Sequence, residues 1–270
     1  MNHPKIILNS LNKFSSKSLG QNFLINTDIA KRIVNFADIT EFDAVLEIGP
    51  GLGMLTSHIC RQAETCFAIE KDDILYEHLI IAFSEFDNFE IINKDILIFK
   101  LEDKFEKKLK LISNLPYNIS SQVIFWILNY RDQLETCIIT IQKELADRLL
   151  SKEGSKDFSP IGILLSLFYD IKKCMDLKGQ SFFPAPRVIS TVLKLTRNDN
   201  IFDDLYYKAF SGFLKLCFQN RRKTLINNLS KSKYDKNDIL YFLNENILSE
   251  KVRAEELSSD ILRKLFNEIK

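Results

Sequence analysis

Between residues 44 and 197 the chain alternates short, β-branched apolar runs with segments whose apolar residues recur at helical spacing. This alternation is typical of a mostly parallel sheet covered by helices. The helices predicted between the runs include 54–63, 73–83, 120–130 and 143–150. The runs themselves predict seven strands, enough for one open sheet: 44–49, 65–70, 89–95, 109–114, 135–142, 171–178 and 189–196.

The strand signals stop near Asn200, where Asn198-Asp199-Asn200 has the composition of a linker. Asn26-Thr27-Asp28 is predicted to cap a helix that runs to about residue 37. We therefore expect an N-terminal arm over 1–27, an α/β domain over 28–200 and a small all-helical domain over 201–270. The helices predicted in the last domain are 203–218, 222–229, 235–244 and 258–269.

Positive charge is concentrated in two segments of a chain whose net charge is only +1. Residues 1–27 carry three lysines and no acid, and residues 208–236 carry eight Lys or Arg against one acid, Asp235. Such segments on a nearly neutral chain indicate a local surface for a polyanion. A solvated helix face is the alternative explanation of the same pattern.

Several classes of protein do not fit this sequence. No apolar run approaches the ~20 residues of a membrane span, and the N-terminus lacks a signal-sequence pattern, so we expect a cytoplasmic protein without membrane contact. The five cysteines are scattered without a Cys-x-x-Cys pair, and there are only three histidines. Neither a metal site nor a disulfide framework is therefore expected.

A glycine-rich turn follows the first predicted strand of the sheet. Residues 45–53 read Val-Leu-Glu-Ile-Gly-Pro-Gly-Leu-Gly, and α/β sheets bind ligands at such a strand-to-helix turn. Glycines let the backbone turn sharply and let a nucleoside-type ligand lie against it. The spacing of Gly49, Gly51 and Gly53, with Glu47 two residues before, differs from the dinucleotide pattern, whose third glycine comes one residue later. An ordinary structural turn is the alternative.

Acidic residues end the next two predicted strands. Glu70 lies roughly 20 residues beyond the turn, where a carboxylate can accept both hydroxyls of a ribose. Asp95 ends the third strand and can accept from an adenine amine, with Ile96 beside it to contact the ring. Each acid alone could be a helix cap. Together with the glycine turn they indicate an adenosyl cofactor, which we identify as S-adenosylmethionine.

The stretch Asn114-Leu115-Pro116-Tyr117 ends the fourth predicted strand and is the most specific local motif. The exocyclic nitrogen of adenine is a poor nucleophile because its lone pair is delocalised into the ring. If the Asn114 side-chain oxygen and the Leu115 carbonyl each accept an N–H, the lone pair is localised and aimed at a methyl donor. Pro116 stiffens the turn, and Tyr117 offers a ring for an unstacked base. A plain turn with an Asx cap is the alternative.

With these motifs the sequence resembles the bacterial small-subunit rRNA adenine dimethyltransferases along nearly its whole length. Four further stretches support the resemblance: Lys17-Ser18-Leu19-Gly20-Gln21-Asn22-Phe23-Leu24, Gln142-Lys143-Glu144-Leu145-Ala146-Asp147-Arg148-Leu149, Phe182-Phe183-Pro184-Ala185-Pro186-Arg187-Val188 and Phe218-Gln219-Asn220-Arg221-Arg222-Lys223-Thr224-Leu225. It implies a Rossmann-like class I methyltransferase fold with a seven-stranded sheet and a small all-helical C-terminal domain. It also implies dimethylation of N6 on two adjacent adenosines in a loop near the 3′ end of 16S rRNA, by a monomer.

The resemblance also assigns residues. It adds Gln21, Asn22 and Leu24 to the cofactor contacts, beside the glycine turn, the two strand-end acids and the catalytic asparagine. Phe182 is implied as a second ring that stacks on the target base. The RNA-binding residues implied in the helical domain are Arg221, Arg222 and Lys223.

The sequence departs from the family pattern at Ser18-Leu19, where Arg-Phe is usual, at Ile189, where Asp is frequent, and at Ser166, where Gln is common. Two alternatives stay open. One is a resistance-type methyltransferase of a 23S rRNA adenine, which usually has Ile at the position of Leu115. The other is a non-catalytic ribosome-assembly factor, which should have lost cofactor residues that this chain retains.

Overall fold

The computed structural model describes residues 4–11, 20–101 and 108–269. The chain divides into two compact units, the first formed by Met1–Ala146 with Tyr169–Asn198 and the second by Asp147–Phe168 with Asp199–Lys270. The predicted boundary near residue 200 coincides with the start of the last stretch. Residues 147–168, which the sequence analysis placed in the α/β domain, instead cluster with the helical unit.

The first unit contains one seven-stranded sheet and a two-stranded one. The strands are β1 (Phe23–Leu24), β2 (Ala44–Ile48), β3 (Thr65–Glu70), β4 (Phe89–Asn93), β5 (Leu109–Asn114), β6 (Leu134–Gln142), β7 (Tyr169–Leu177), β8 (Phe182–Phe183) and β9 (Ser190–Arg197). The helices are α1 (Pro4–Ser10), α2 (Thr27–Asn35), α3 (Thr56–Ile59), α4 (Asp73–Ala82), α5 (Ser120–Asn129) and α6 (Lys143–Leu150), the last of which continues into the second unit.

The large sheet has the order β4-β3-β2-β5-β6-β9-β7. β2 to β6 pair in parallel, whereas β9 runs antiparallel to both of its neighbours, β6 and β7. The predicted mostly parallel, seven-stranded sheet is therefore confirmed. The chain order reverses at β2, because β3 lies on one side of it and β5 on the other, and ligands bind to open α/β sheets at such a switch point.

The helix α2 buries one face in the main hydrophobic core of this unit. α2 begins after Asn26, whose side chain accepts a hydrogen bond from the Ile29 N–H at 3.0 Å, as the predicted cap requires. Its residues Ile33 and Val34 are completely buried in the main hydrophobic core. α3 is shorter than the predicted helix over 54–63, since hydrogen-bonded turns rather than continuous helix flank it.

The N-terminal arm adds two elements that its sequence pattern did not predict. β1 pairs antiparallel with β8, with Leu24 opposite Phe182. α1 packs through Leu8 into a small apolar cluster with Phe23, Leu52 and Leu75. This cluster joins the arm to the glycine turn through Leu52 and to α4 through Leu75.

The second unit is helical. Its elements are α7 (Pro160–Ser166), α8 (Asp204–Cys217), α9 (Leu225–Leu229), α10 (Lys236–Glu245), α11 (Ser259–Glu268) and a 3₁₀ turn (Ala254–Glu256). Aromatic rings form its centre, with Phe266 of α11 lying 5.3 Å from both Phe210 and Phe213 of α8, between ring centroids. α7 packs against α8 and buries Ile163 and Leu165, which is why 147–168 belongs to this unit.

Within the described ranges, no helix is both long and apolar enough to cross a bilayer. The same ranges hold no group of His, Cys, Asp and Glu side chains that could bind a metal ion.

Candidate active site

A cavity opens at the carboxyl ends of β2, β3 and β5, in the crevice where parallel sheets bind ligands. Its wall also includes the segment around β1 and the turn after β5. Most of the residues predicted to form the site line this cavity: Gln21, Asn22, Leu24, Glu47, Gly49, Gly51, Glu70, Asp95, Ile96, Asn114, Leu115, Pro116 and Tyr117.

The glycine turn needs its glycines for two different reasons. Gly51 has φ +62°, and a β-carbon there would approach the Phe23 ring to 3.1 Å, so a side chain would crowd the arm and the cavity wall. Gly53 has φ +81° but does not line the cavity, and a β-carbon there would overlap the Phe83 ring. Gly53 therefore has a packing role in this structure, and its contact with the cofactor stays a prediction.

Two buried carboxyl groups lie beneath the turn. Burial raises the pKa of Glu47 to about 8, against the opposing effect of the Thr56 hydroxyl, which donates to Glu47 Oε2 at 2.7 Å. Burial also raises the pKa of Glu70 to about 7, although the N–H groups of Asp72 and Gly51 donate to its two oxygens at 2.9 and 3.2 Å. Glu70 thus lies at the cavity wall with both oxygens directed by backbone donors.

Asp95 follows β4 and carries a more hydrated carboxylate. The Lys71 ammonium contacts its Oδ2 at 2.8 Å and the Leu97 N–H donates to its Oδ1 at 2.9 Å. Burial acts to raise the pKa of Asp95, but these donors outweigh it and hold the pKa below its ordinary value. Asp95 is an acceptor at the cavity edge, beside the buried side chain of Ile96.

The segment 20–24 covers one side of the cavity and is held by side-chain hydrogen bonds. Gln21 Nε2 donates to Asp72 Oδ2 at 3.1 Å, and Asp72 also caps α4 by accepting from the Leu75 N–H. Asn22 Nδ2 donates to the Gly20 carbonyl at 3.1 Å. The first part of the predicted motif, 17–19, and Lys13 lie outside the described residues.

Asn114 ends β5 and presents an oriented amide at the cavity wall. Its Nδ2 donates to the carbonyl of Asn22 at 2.9 Å, which fixes the rotation of the amide. Its Oδ1 is buried and has no hydrogen-bond partner among the described residues. An unsatisfied buried acceptor is costly, typically about 1–3 kcal/mol, and such an atom requires an explanation. The Asn114 amide therefore keeps an acceptor atom that no described residue satisfies.

The turn after Asn114 is fixed at both ends. The Leu115 N–H donates to the Thr140 carbonyl of β6 at 3.1 Å, and the Pro116 carbonyl accepts from the Ser120 hydroxyl at 2.9 Å. Tyr117 lines the cavity, and its hydroxyl lies 2.6 Å from Ser190 Oγ.

A family model for ribosomal RNA adenine dimethylases matches residues 12–270. The chain belongs to this family. It is 39% identical to the ribosomal RNA small subunit methyltransferase A of Malacoplasma penetrans over 93% of this chain and 91% of that protein. It is 37% identical to the protein of the same name from a Sulfurihydrogenibium species, over 95% and 97% of the two chains.

Two solved methyltransferase structures are similar to this chain in fold. A dimethyladenosine transferase from Plasmodium falciparum superimposes with a TM-score of 0.77 at 26% identity, covering 90% of this chain and 95% of that one. The 23S rRNA methyltransferase ErmE superimposes with a TM-score of 0.72 over 92% and 99% of the chains, but at 22% identity this likeness concerns the fold alone. The class I methyltransferase fold and the family resemblance predicted from the motifs are thus confirmed.

The structure does not bring Phe182 to the cavity. Its ring is only 2% exposed and belongs to the main hydrophobic core of the first unit, where β8 pairs with β1. The stacking role implied for Phe182 stays a prediction, since in this structure the residue packs in the core opposite Leu24 of β1.

The three basic residues predicted to bind RNA differ from one another. Arg221 is engaged within the second unit, where its Nε contacts Glu255 at 3.2 Å and its Nη2 donates to the Phe158 carbonyl at 2.8 Å. Arg222 and Lys223 are exposed at the surface of that unit. The neighbouring Lys231 ammonium lowers the pKa of Lys223, as expected where positive charges crowd together.

Sequence reasoning missed Asp72, Ser190 and Lys71, each of which contacts a predicted site residue. Asp72 carries a signal, because an Asp one residue before a helical segment is a typical N-cap. Ser190 and Lys71 act through contacts between distant segments, and no local spacing pattern reveals them.

Proposed function

We propose that this chain transfers methyl groups from S-adenosylmethionine to N6 of two adjacent adenosines in a loop near the 3′ end of 16S rRNA, as a cytoplasmic monomer. The observation that carries the proposal is the buried Oδ1 of Asn114, a residue that lines the cavity, because this atom has no hydrogen-bond partner among the described residues. The family match and the similarity to small-subunit methyltransferases support the choice of RNA.

The amide of Asn114 has the orientation that the reaction needs. The hydrogen bond from Nδ2 to the Asn22 carbonyl fixes the rotation of the amide, and Oδ1, its one side-chain acceptor, accepts an N–H from a base in the cavity. Accepting that hydrogen draws electron density onto N6, and the interaction strengthens as positive charge develops there. Asn114 is thus a catalytic residue that acts by electrostatic stabilisation.

The cavity offers no imidazole base. Among the described residues that line it, none is a histidine. This composition fits the proposed reaction, since the methylated amine is acidic enough to lose its proton without a strong base. The side chains at the wall therefore have to orient the amine and stabilise charge rather than remove a proton in a separate step.

The residues around the glycine turn fit an adenosyl methyl donor. S-adenosylmethionine supplies an electrophilic methyl group when it is bound. Gly49 and Gly51 place no side chain at two positions of the turn that line the cavity. Glu70 provides a carboxylate acceptor for ribose hydroxyls, and Asp95 provides one for an adenine amine. Gln21 donates a hydrogen bond to Asp72, the N-cap of α4, and this contact fixes the arm beside the cavity.

RNA contacts are assigned to two places in the chain. The Tyr117 ring, at the cavity wall, would stack on the unstacked target base. Arg222 and Lys223, exposed in the helical unit, would contact phosphates. Phe182 can join the stack only if its ring leaves the core.

The test is methyl transfer to small ribosomal subunits that lack the modification, followed by nucleoside analysis of the RNA. We expect N6,N6-dimethyladenosine on small-subunit RNA. Asn114→Ala should lower transfer by about 10²–10³-fold and leave RNA binding unchanged, because it removes one preorganised acceptor. Asn93→Ala is the matched control, since Asn93 also ends a strand but lies exposed and outside the cavity.

Product found only on large-subunit RNA would replace this proposal with the 23S-type activity. No product at all, with RNA binding intact, would indicate a non-catalytic assembly factor. Full activity of Asn114→Ala would remove the mechanism.

A further inference from the structure

The Tyr117 hydroxyl is anchored to a rigid point of the sheet. It lies 2.6 Å from Ser190 Oγ, and Ser190 is completely buried. Ser190 begins β9 and pairs with Gln142 on one side and Leu177 on the other, so two strands fix its backbone. Tyr117 itself follows Pro116 in a turn outside the sheet. The hydrogen bond therefore connects a turn side chain to a position that two neighbouring strands hold.

This contact restricts where the ring lies. Holding the hydroxyl oxygen restricts the first side-chain torsion of Tyr117, and the preference of a phenol for hydrogen bonds in the ring plane favours one rotation of the ring about the second torsion. Burial raises the pKa of Tyr117, while the Ser190 contact acts in the opposite direction, so the phenol keeps its proton at neutral pH. Without Ser190 Oγ the Tyr117 side chain loses this restraint on its position and on the in-plane direction of its hydroxyl.

The orientation of the ring matters more for the second methyl transfer than for the first. An unmodified adenine amine has two N–H groups, of which one can be donated to Asn114 Oδ1 and the other to a backbone carbonyl. N6-methyladenine has only one N–H left, so it loses one of these two contacts. The face of the stacking ring must then supply more of the positioning.

We propose that Ser190 is a positioning residue that acts through Tyr117 to align the target base, and that the second methylation depends on it most. This inference rests on the proposed adenine N6 methylation. Ser190 is absent from the residues that line the cavity, so its effect on the methyl donor should be small.

The experiment compares Ser190→Ala and Tyr117→Phe, which remove the same hydrogen bond from opposite ends while keeping the ring. Single-turnover reactions on unmodified small subunits would be quenched over time, and N6-monomethyl and N6,N6-dimethyladenosine would be quantified by mass spectrometry. Each variant should slow the second transfer about tenfold and the first about threefold or less, so that monomethyladenosine accumulates. The affinity for S-adenosylmethionine should stay within about twofold of the wild type, since neither change removes a group at the glycine turn.

The double variant should be no slower than either single one, because both substitutions break one interaction. Thr191→Val is the matched control. Thr191 is the next residue of β9 and equally buried, but its hydroxyl donates to Asp176 at 2.7 Å rather than to Tyr117. It should leave the ratio of the two products unchanged.

Wild-type product ratios in Ser190→Ala would overturn the inference, as would multiplicative effects in the double variant. An equal shift in Thr191→Val would also overturn it, because the effect would then belong to the strand in general. Failure of the proposed function is a different result, since the wild-type protein would then form no dimethyladenosine on small-subunit RNA.

Discussion

Replacing Glu47 by glutamine should change how the stability of the first unit depends on pH. The carboxyl group is 1% exposed in the central strand β2 and has one hydroxyl donor, Thr56, at 2.7 Å. Glutamine has nearly the same shape and keeps an acceptor for that donor. The substitution therefore removes the titration of the group while leaving most of its packing in place.

The size of the effect follows from the raised pKa. Burial moves the pKa of Glu47 from its ordinary value of 4.5 to about 8. Between these values the folded protein holds a proton that the unfolded chain has released, so the contribution to stability is full below pH 4.5 and is lost as pH rises towards 8. At ~1.36 kcal/mol per pH unit, the loss between pH 5 and pH 9 is about 4 kcal/mol. Glutamine has no such dependence.

Urea unfolding at pH 5, 7 and 9 measures this difference. The chain has one tryptophan, Trp126, which is buried on α5 in the same unit as Glu47, so its fluorescence reports the relevant transition. The free energy of unfolding of Glu47→Gln should rise by about 4 kcal/mol relative to the wild type from pH 5 to pH 9. Glu77→Gln, on the exposed side of α4, should follow the wild type. Parallel pH profiles for Glu47→Gln and wild type would refute the reasoning.

Three other substitutions test separate features. Gly53→Ala should lower the free energy of unfolding, measured with urea, by about 2–5 kcal/mol, because the new β-carbon overlaps a buried ring at a left-handed backbone position. Gly154→Ala, at φ +82° with open space around it, should lower the free energy of unfolding by only about 1–2 kcal/mol. Titration calorimetry should show that the affinity for S-adenosylmethionine falls by up to about tenfold per pH unit below pH 7. The reason is that ribose hydroxyls favour the ionised form of Glu70, whose pKa is raised to about 7. Glu70→Gln should abolish this pH dependence. In filter-binding measurements, Arg222→Ala should reduce the slope of log RNA affinity against log salt concentration by about 1. Arg221→Ala should mainly lower the melting temperature, because the Arg221 guanidinium is hydrogen-bonded within the protein. Equal losses of unfolding free energy in Gly53→Ala and Gly154→Ala would contradict the first argument. A pH-independent affinity of the wild type for S-adenosylmethionine would contradict the second, and an unchanged salt slope in Arg222→Ala would contradict the third.

The order of strands and helices was predictable because local patterns determine it. β3 and β5 were predicted with their observed bounds, since β-branched runs end there at Glu70 and Asn114. The helix α7 was missed because it is short and apolar on nearly all sides, so it has no amphipathic period. For the same reason the sequence could not assign residues 147–168 to the helical unit.

The cavity residues were also largely predictable, since the carboxyl ends of β2, β3 and β5 must meet at one edge of the sheet. The exceptions depend on tertiary contacts. The motif gave no sign that the Phe182 ring is buried in the core, and the basic cluster gave no sign that Arg221 bonds to Glu255, 34 residues away. The hydrogen bond between Tyr117 and Ser190, 73 residues apart, is of the same kind.

The position of β9 between β6 and β7 limits which parts of the sheet can fold during translation. β7 leaves the ribosome before β9. Among the strands that the structure describes, β9 is the one with which β7 pairs, so β7 lacks this partner until β9 has been synthesised. The apolar helix α7 is synthesised earlier still, and the helix α8 on which it packs comes after β9. A nascent chain halted near residue 185 would thus expose both an unpaired strand and an uncovered helix. We therefore expect residues 160–177 to be the segment of the nascent chain that is most exposed to non-native contacts.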